Sequence, residues 1–220
     1  MRIFIEGIHD MGLLITLEGP DGSGKSLQAD LLEKRLQAEG YSVVRSREPG
    51  GTPIGEAIRD VILNPDFQEM DSMTEALLYA ASRAQHVAQK IRPALAEGRI
   101  VLLDRFLDSS FIYQGIGRAL GIETVEAVNR FATGGLWPDI TFMVYINFEE
   151  GLRRKKAQKG SLDRMEAQQE AFHRKVNEGY LTLTQRYPDR IVLIDGARSV
   201  QDVHQDIWDR TQKMLAERDS

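Results

Sequence analysis

The chain has 220 residues, of which 42% are hydrophobic and 28% are charged. Roughly 92 apolar side chains supply the core of one globular domain but not of two. Ordinary glycine, proline and charge contents exclude collagen-like, low-complexity and disordered classes. The longest uncharged apolar stretches, such as residues 100–103 and 142–146, are far shorter than the ~18 residues of a membrane-spanning helix, so no membrane partner is predicted.

The formal net charge of −5 argues against nucleic acid as a partner of the chain as a whole. The sequence has no cysteine, which fits a reducing compartment, and Glu6, His9 and Asp10 interrupt the apolar start before it resembles an export signal. We therefore expect a cytoplasmic protein with one domain over residues 1–220. Residues 1–11 are a candidate N-terminal extension, because Met11 is a second candidate start.

The first predicted element is a strand at residues 13–17, which runs directly into a glycine-rich loop at residues 19–26. A helical pattern follows and ends at Gly40. Its apolar stripe consists of Leu27, Leu31, Leu32 and Leu36. The start of the chain therefore predicts a strand, a glycine loop and a helix.

The next segment predicts one strand and two helices. Residues 41–44 are a second strand, and the turn-rich residues 48–52 lead into a helix at residues 53–63. Apolar residues then keep helical spacing over residues 73–95, which predicts one long, core-facing helix that includes Leu77.

Three further strands are predicted at residues 100–103, 140–146 and 191–194, of which the first is a continuous apolar run typical of buried parallel strands. A last helix opens at Ser199, with Asp202 in a variant of the capping box. Strands thus alternate with helices along the whole chain. This alternation predicts an α/β fold with a parallel five-stranded sheet flanked by helices, and ligands at the carboxyl ends of the strands.

The glycine loop matches the pattern G-x-x-x-x-G-K-S of a P-loop, with the strand before it and the helix after it that phosphate binding requires. We expect its backbone N–H groups to bind the donor phosphates, with Lys25 on the β- and γ-phosphates and the Ser26 hydroxyl on Mg²⁺. The residues assigned to ATP are Gly19, Pro20, Asp21, Gly22, Ser23, Gly24, Lys25 and Ser26. An ordinary glycine turn is the alternative.

Asp104 and Arg105 follow a buried strand, at the edge of the sheet where ligands bind. We expect Asp104 to join Ser26 at the metal and Arg105 to hold a second phosphate as a catalytic cation. A strand-capping ion pair is the alternative for this pair. The chain lacks the N-K-x-D base reader that guanine switches usually carry, which favours an enzyme.

Four motifs follow one another at residues 19–26, 47–52, 104–115 and 162–166. Their order and spacing resemble bacterial thymidylate kinases over about residues 12–215. The resemblance implies the P-loop nucleoside-monophosphate-kinase fold, ATP and Mg²⁺ as cofactors, transfer of the γ-phosphoryl group of ATP to dTMP to give dTDP, and a homodimer. A kinase of another nucleoside monophosphate or of a deoxynucleoside, and a P-loop nucleotide switch, remain as alternatives.

The resemblance also assigns residues to the sugar and phosphate of the acceptor. Asp21 would approach the 3′-hydroxyl, Arg105 would hold the acceptor phosphate, and Tyr113 would lie near C2′. A turn-forming role is the alternative for Asp21.

Four residues are assigned to the thymine base in the same way. Tyr79 would stack on the base, although the family usually has Phe there, and Arg83 would reach a base carbonyl one helical turn later. Ser110 and Gln114 would lie near the base. From its pattern alone, Tyr79 is an ordinary core residue on an apolar helix face.

Residues 153–159 contain five basic side chains, a pattern typical of a solvated helix face, and a nucleic-acid patch is also compatible with it. In the family that the chain resembles, this position is a mobile lid, at about residues 151–163, that carries catalytic arginines. The four variable positions of the P-loop contain no basic residue, so the resemblance implies a lid cation, with Arg153 and Arg154 as candidates.

Asp163 and Glu166 stand three residues apart at the predicted start of a helix. Acidic side chains there favour the helix dipole and cap the free N–H groups. We therefore expect a capping role for both.

Overall fold

The computed structural model describes residues 12–156 and 163–218. The candidate N-terminal extension at residues 1–11, including Met11, lies outside the described residues, and so do residues 157–162 of the predicted lid. The strands are β1 (Leu13–Glu18), β2 (Val43–Arg47), β3 (Ile100–Asp104), β4 (Ile140–Tyr145) and β5 (Ile191–Asp195).

Helices connect the strands. They are α1 (Lys25–Ala38), α2 (Pro53–Leu63), α3 (Ser72–His86), α4 (Arg92–Ala96), α5 (Leu107–Ser110), α6 (Ile122–Thr133), α7 (Phe148–Lys156), α8 (Glu170–Arg186) and α9 (Val200–Arg218). Two π-helical segments, Val87–Ile91 and Phe111–Gly117, continue α3 and α5. Within the described part of the chain, no helix has both the length and the apolar composition to cross a membrane.

The strands form one parallel sheet in the order β2-β3-β1-β4-β5. The change of direction in strand order lies next to β1, between β1 and β3, where a crevice opens at the carboxyl ends of the strands. The predicted α/β fold with a parallel five-stranded sheet flanked by helices is confirmed.

The register of the sheet positions the site. Leu17 of β1 and Arg47 of β2 are both aligned with Asp104 at the end of β3. Three chain segments therefore leave the sheet side by side, among them the glycine loop after β1 and Arg105 after β3.

The sheet has a hydrophobic core on each face because successive side chains of a strand point in opposite directions. Leu14 packs with Phe106 and Tyr180 on one face, and Ile15 packs with Leu32 and Trp208 on the other. Both faces of the central strands are covered, which explains the continuous apolar runs of the sequence.

Four details of the sequence predictions need correction. The second strand is Val43–Arg47 rather than residues 41–44, because the backbone N–H of Tyr41 donates to the Leu36 carbonyl at 3.0 Å and ends α1. Leu27 is 47% exposed, since the buried face of α1 consists of Lys25, Gln28, Ala29, Leu32 and Leu36.

Leu77 does not face the core either and is 52% exposed. The buried face of α3 is largely polar and includes Glu75, Ser82, Arg83 and His86. The other larger members of the predicted stripe, Ala80, Val87, Ile91 and Leu95, are buried, so the prediction was wrong at Leu77 and not for the helix face as a whole. The segment over residues 73–95 is also interrupted by the π-helical segment Val87–Ile91.

Asp163 and Glu166 cap each other as in a capping box, but on a turn. The Asp163 N–H donates to the Glu166 carboxylate at 3.1 Å, and the Glu166 N–H donates to the Asp163 carboxylate at 2.8 Å. The helix itself, α8, begins only at Glu170.

Candidate active site

The glycine loop has the backbone conformation of a phosphate-binding loop. Gly19 has φ 152°, and a Cβ there would lie 2.2 Å from the Val144 carbonyl oxygen, so no other residue fits. Gly24, with φ 90°, precedes the first turn of α1. The loop therefore leads into the positive end of the α1 dipole, where anions bind.

Lys25 lies in the first turn of α1 and is 9% exposed. Its Nζ is 3.8 Å from the Asp21 carboxylate. Burial lowers the pKa of Lys25 from its ordinary value. An ammonium buried in this way lacks its full hydration and gains most from an anionic ligand.

The hydroxyl of Ser26 donates to Asp104 Oδ2 at 2.5 Å, which joins the P-loop to the end of β3. Both predicted metal-binding side chains thus offer oxygen atoms at one point, and Mg²⁺ prefers oxygen ligands. Among residues 12–156 and 163–218, no cluster of three or more His, Cys, Asp or Glu is placed to hold a metal. A hydroxyl and one carboxylate nevertheless fit Mg²⁺, which retains waters and phosphate oxygens as its other ligands.

Arg105 has φ 69°, a left-handed conformation that is uncommon outside glycine and marks a constrained position. Its Nη1 donates to the Ser109 hydroxyl and to the Tyr180 hydroxyl, both at 3.0 Å. Its Nη2 donates to Asp21 at 2.8 Å. The guanidinium is therefore fixed next to the P-loop.

Glu18, the last residue of β1, is fully buried and organises the segment after β3. Its Oε1 accepts from the backbone N–H groups of Phe106 at 2.7 Å and Ser109 at 3.1 Å. Burial raises the pKa of Glu18 to about 7, with a smaller contribution from the carboxylate of Asp108. Glu18 was not among the predicted site residues, although a charged side chain at the end of an apolar strand is an available signal.

One cavity of about 290 Å³ opens at this edge of the sheet. It brings together most of the residues that were predicted for the site. These are Asp21, Lys25, Ser26, Tyr79, Arg83, Asp104, Arg105, Ser110, Tyr113 and Gln114. Donor and acceptor residues that are far apart in sequence therefore line the same space.

Arg83 lines the cavity but is almost fully engaged by the protein. Its Nε donates to Glu48 at 2.7 Å and its Nη2 to the Phe106 carbonyl at 2.9 Å. Its Nη1 donates to Ser110 at 3.0 Å and also to Asn129. A guanidinium has five N–H donors, so one is left for a ligand.

The two lid arginines lie in different environments. Arg153 is 73% exposed and binds Glu150 through two nitrogens. Arg154 also binds Glu150, but its Nη1 donates to the carbonyls of Gly22 at 3.3 Å and Gly196 at 3.2 Å. The structure therefore brings Arg154, and not Arg153, against the P-loop.

Several cavity residues were not selected from the sequence. They include Arg47, Glu48, Arg59, Ser109, Asp163, Glu166 and His173. Arg47 and Glu48 belong to a motif that had been noted, whereas Arg59 carried no signal beyond its charge.

The fold is a parallel α/β sheet with a P-loop before α1. Next to the P-loop, at the carboxyl edge of the sheet, lies a second subsite, which is lined by arginines. These features define a P-loop kinase of the nucleoside-monophosphate type. The family model for thymidylate kinase matches residues 17–207. The chain belongs to the thymidylate kinase family.

Relatives and a solved structure agree with this assignment. The chain is 52% identical over 196 residues to a thymidylate kinase of Exiguobacterium sibiricum, covering 89% of this chain and 92% of the relative. It is 48% identical over 196 residues to one of Pseudomonas putida, covering 89% and 93%. A crystal structure of thymidylate kinase from Ehrlichia chaffeensis aligns with a TM-score of 0.74 and 30% identity over 92% of this chain and 99% of that one.

Family membership confirms the predicted activity, the ATP-dependent phosphorylation of dTMP to dTDP. The enzyme is a nucleoside-monophosphate phosphotransferase with ATP and dTMP as substrates. The comparisons do not favour the alternatives, a kinase of another nucleotide or nucleoside and a P-loop switch.

Proposed function

We propose how the residues of this site divide the work of phosphoryl transfer. The loop at residues 19–26 binds the phosphates of ATP, Lys25 contacts the β- and γ-phosphates, and Arg105 holds the phosphate of dTMP. Tyr79 stacks on the thymine, while Tyr113 faces C2′ of the sugar. Catalysis then comes from in-line positioning and from cations on the developing charge, without a protein base.

The observation that carries this proposal is the continuity of the cavity from the P-loop to Tyr79. Lys25 and Arg105 both line it, and the Arg105 guanidinium reaches Asp21 of the loop at 2.8 Å. A donor on the loop and an acceptor on Arg105 therefore share one space between two cations. This supports direct transfer between the two nucleotides.

Ser26 and Asp104 are the proposed ligands of Mg²⁺. When bound, Mg²⁺ neutralises charge on the β- and γ-phosphate oxygens. The protein's part is to present two oxygen atoms at the junction of β3 and α1, where the 2.5 Å contact holds them together. The other ligands are water and phosphate oxygens.

Arg154 is the proposed lid cation. Among the variable loop positions there is no basic residue, and the Arg154 guanidinium lies on the carbonyl of Gly22 in that loop. This contact places the guanidinium beside the loop that is proposed to bind the phosphates of ATP.

A homodimer in the cytoplasm is also proposed. Exposed apolar side chains on the neighbouring helices α2, α3 and α6 support an interface: Ile54, Val61, Met73, Leu77 and Phe131. Sedimentation of the wild type and of Phe131→Glu tests it, because Phe131 is 92% exposed. We expect a dimer that dissociates in the variant, and a wild-type monomer would contradict the proposal.

An acceptor panel tests the division of roles. We expect rapid ATP-dependent phosphorylation of dTMP, slower reaction with dUMP, and little with dCMP, dAMP or thymidine. Thymidine lacks the phosphate that Arg105 holds, so its rejection reports on that contact. Equal use of thymidine and dTMP would contradict the acceptor-phosphate role of Arg105.

A further inference from the structure

Glu75 lies behind the base-binding end of the cavity and takes no part in the roles described above. It is on α3, one helical turn before Tyr79, and has 0% exposure. Its Oε1 accepts from Gln114 Nε2 at 2.9 Å and from Arg118 Nε at 3.2 Å. Its Oε2 accepts from Arg118 Nη2 at 2.9 Å and from Arg164 Nη2 at 2.7 Å.

All four of these contacts are donations to Glu75. Burial by itself raises the pKa of this carboxyl, but hydrogen bonds from Arg118 and Gln114 hold it below the ordinary value. Glu75 is therefore a carboxylate, which accepts hydrogen bonds and cannot donate them.

This fixes the orientation of the Gln114 amide. The NH₂ group must face Glu75, because the carbonyl oxygen would meet a carboxylate oxygen there. Gln114 lines the cavity, and no described residue donates to its Oε1. The carbonyl is thus the polar atom that Gln114 offers to a ligand.

We propose that Glu75 is a positioning residue for base selection, which holds Gln114 as an acceptor for the N3–H of thymine. The inference rests on the proposed placement of the base beside Tyr79, Arg83 and Gln114. Thymine presents a donor at N3 and an acceptor at O4, and the last free N–H of Arg83 matches O4. Cytosine presents an acceptor at N3 and a donor at its 4-amino group, so both contacts would be mismatched.

The substitution Glu75→Gln, in which an NH₂ group replaces one carboxylate oxygen, should reverse the orientation of the Gln114 amide. An amide oxygen in the Oε2 position keeps the donations from Arg118 Nη2 and Arg164 Nη2, whereas the opposite orientation would turn the NH₂ group toward both of these donors. The NH₂ group therefore takes the Oε1 position and faces Gln114, at the loss of the single donation from Arg118 Nε. Gln114 must then turn its own carbonyl toward that NH₂ and present its NH₂ to the cavity. The altered pocket matches N3 of cytosine and opposes the N3–H of thymine.

The experiment measures kcat/KM for dTMP, dUMP and dCMP in the wild type and in Glu75→Gln. We expect the dTMP to dCMP ratio to fall at least about tenfold in the variant, which is the effect of exchanging one matched for one unmatched hydrogen bond. The dTMP to dUMP ratio should stay within about twofold, because both bases carry the same N3–H and O4. A general loss of structure would instead lower all three values together.

Three variants sharpen the result. Glu123→Gln makes the same chemical change on an exposed carboxylate and should leave both ratios as in the wild type. Glu75→Asp keeps an acceptor and should keep thymine selection, even where it lowers stability. The double exchange Glu75→Gln with Gln114→Glu places the carboxylate at 114, where it accepts from the new amide and from N3–H, and should restore the ratio.

The outcomes separate this inference from the proposed function. N3-methyl-dTMP lacks the N3–H, and we expect the wild type to use it at least about tenfold less efficiently than dTMP. Equal use would overturn both the placement of the base and the role of Glu75. Rejection of N3-methyl-dTMP with an unchanged dTMP to dCMP ratio in Glu75→Gln, or no recovery in the double exchange, would overturn the role of Glu75 alone.

Discussion

The hydroxyl of Ser109 donates to Glu18 Oε2 at 2.6 Å. The same hydroxyl accepts from Arg105 Nη1 at 3.0 Å. A buried carboxyl at the end of β1 is thereby connected to the arginine after β3 by a single side chain. The state of Glu18 therefore bears on the stability of the segment that holds Arg105.

We expect Glu18→Gln to flatten the dependence of stability on pH. Burial raises the pKa of Glu18 to about 7 in the folded protein, from an ordinary value of 4.5. Between these values the folded chain retains a proton that the unfolded chain releases, so the contribution of Glu18 to stability falls as the pH rises through this window. The glutamine side chain of the variant does not titrate, so this contribution to the pH dependence of stability is absent.

Urea unfolding at pH 5, 6, 7 and 8 measures this effect. As the pH rises, the free energy of unfolding should fall more for the wild type than for Glu18→Gln. Glu217→Gln, on an exposed carboxylate, is the control. Parallel curves for Glu18→Gln and the wild type would refute the titration of Glu18 in this range.

Arg105→Lys should lower kcat/KM for dTMP by more than about 10²-fold. The guanidinium contacts Ser109, Tyr180 and Asp21 at once and still has donors for a phosphate, and an ammonium cannot reproduce this planar geometry. Steady-state kinetics with dTMP as the varied substrate measure the loss. Arg99→Lys, at an exposed surface ion pair, is the matched control, and near-normal activity of Arg105→Lys would reduce Arg105 to a structural ion pair.

Lys25→Ala should lower kcat by about 10²- to 10³-fold with the fold intact, as expected for removing one preorganised cation from a transition state. Single-turnover assays and a thermal unfolding curve check both statements. Lys34→Ala removes an exposed lysine from the same helix, α1, and should be silent. Unchanged turnover in folded Lys25→Ala would show that the donor phosphates bind elsewhere.

The sequence predicted the sheet and the P-loop well because both depend on local patterns. Buried parallel strands appear as short apolar runs, and the glycine loop needs specific residue types at fixed spacing. The predicted position of the edge strand β2 was wrong because its apolar run is short. Arg45, Ser46 and Arg47 interrupt that run, although they pair with β3.

The polar network behind the site was not predictable in this way. Glu75 contacts residues 39, 43 and 89 positions away in sequence, and a single sequence carries no record of such pairings. The apolar pattern of this region placed Ala80 and Val87 in the core correctly but also placed Leu77 there, which is exposed, and it gave no sign that Glu75 is buried. The two lid arginines were predictable in part. The basic composition of the segment indicated both, but only the structure shows that Arg154 contacts the P-loop and Arg153 does not.

Tyr113 should exclude a ribose 2′-hydroxyl through its ring. The Arg105 guanidinium lies 5.4 Å from the ring centroid on one side, and the Phe172 ring lies at 6.2 Å. The ring is therefore held in place, and overpacking against a fixed group costs about 1–3 kcal/mol, or roughly 5- to 150-fold in rate.

The preference for dTMP over its ribonucleotide counterpart measures this exclusion. Tyr113→Phe keeps the ring and should keep the preference, whereas Tyr113→Ala should lose most of it. Equal efficiency of the wild-type enzyme on both nucleotides would contradict steric exclusion.

The two arginines of α7, Arg153 and Arg154, both donate to the carboxylate of Glu150. Hydrogen bonds from Arg153 and Arg154 lower the pKa of Glu150 to about 2, so the carboxylate holds both guanidinium groups on the helix surface. Arg153 has 73% exposure there, while Arg154 also reaches the carbonyl of Gly22 in the P-loop.

Arg154→Ala should therefore lower kcat by an amount that approaches the ~10³-fold of arginine fingers, while Arg153→Ala should have little effect. The reason is that a cation on the transferring phosphoryl group acts mainly on the transition state, so the affinity for dTMP should change far less than kcat. Rapid-quench turnover and equilibrium binding of dTMP, measured separately, distinguish the two quantities. Arg153→Ala is the matched control, because it removes the same charge from the same helix and the same partner. If Arg154→Ala and the double variant with Arg153→Ala both turn over like the parent enzyme, the basic residues 153–159 form a solvated surface and the catalytic cation lies elsewhere.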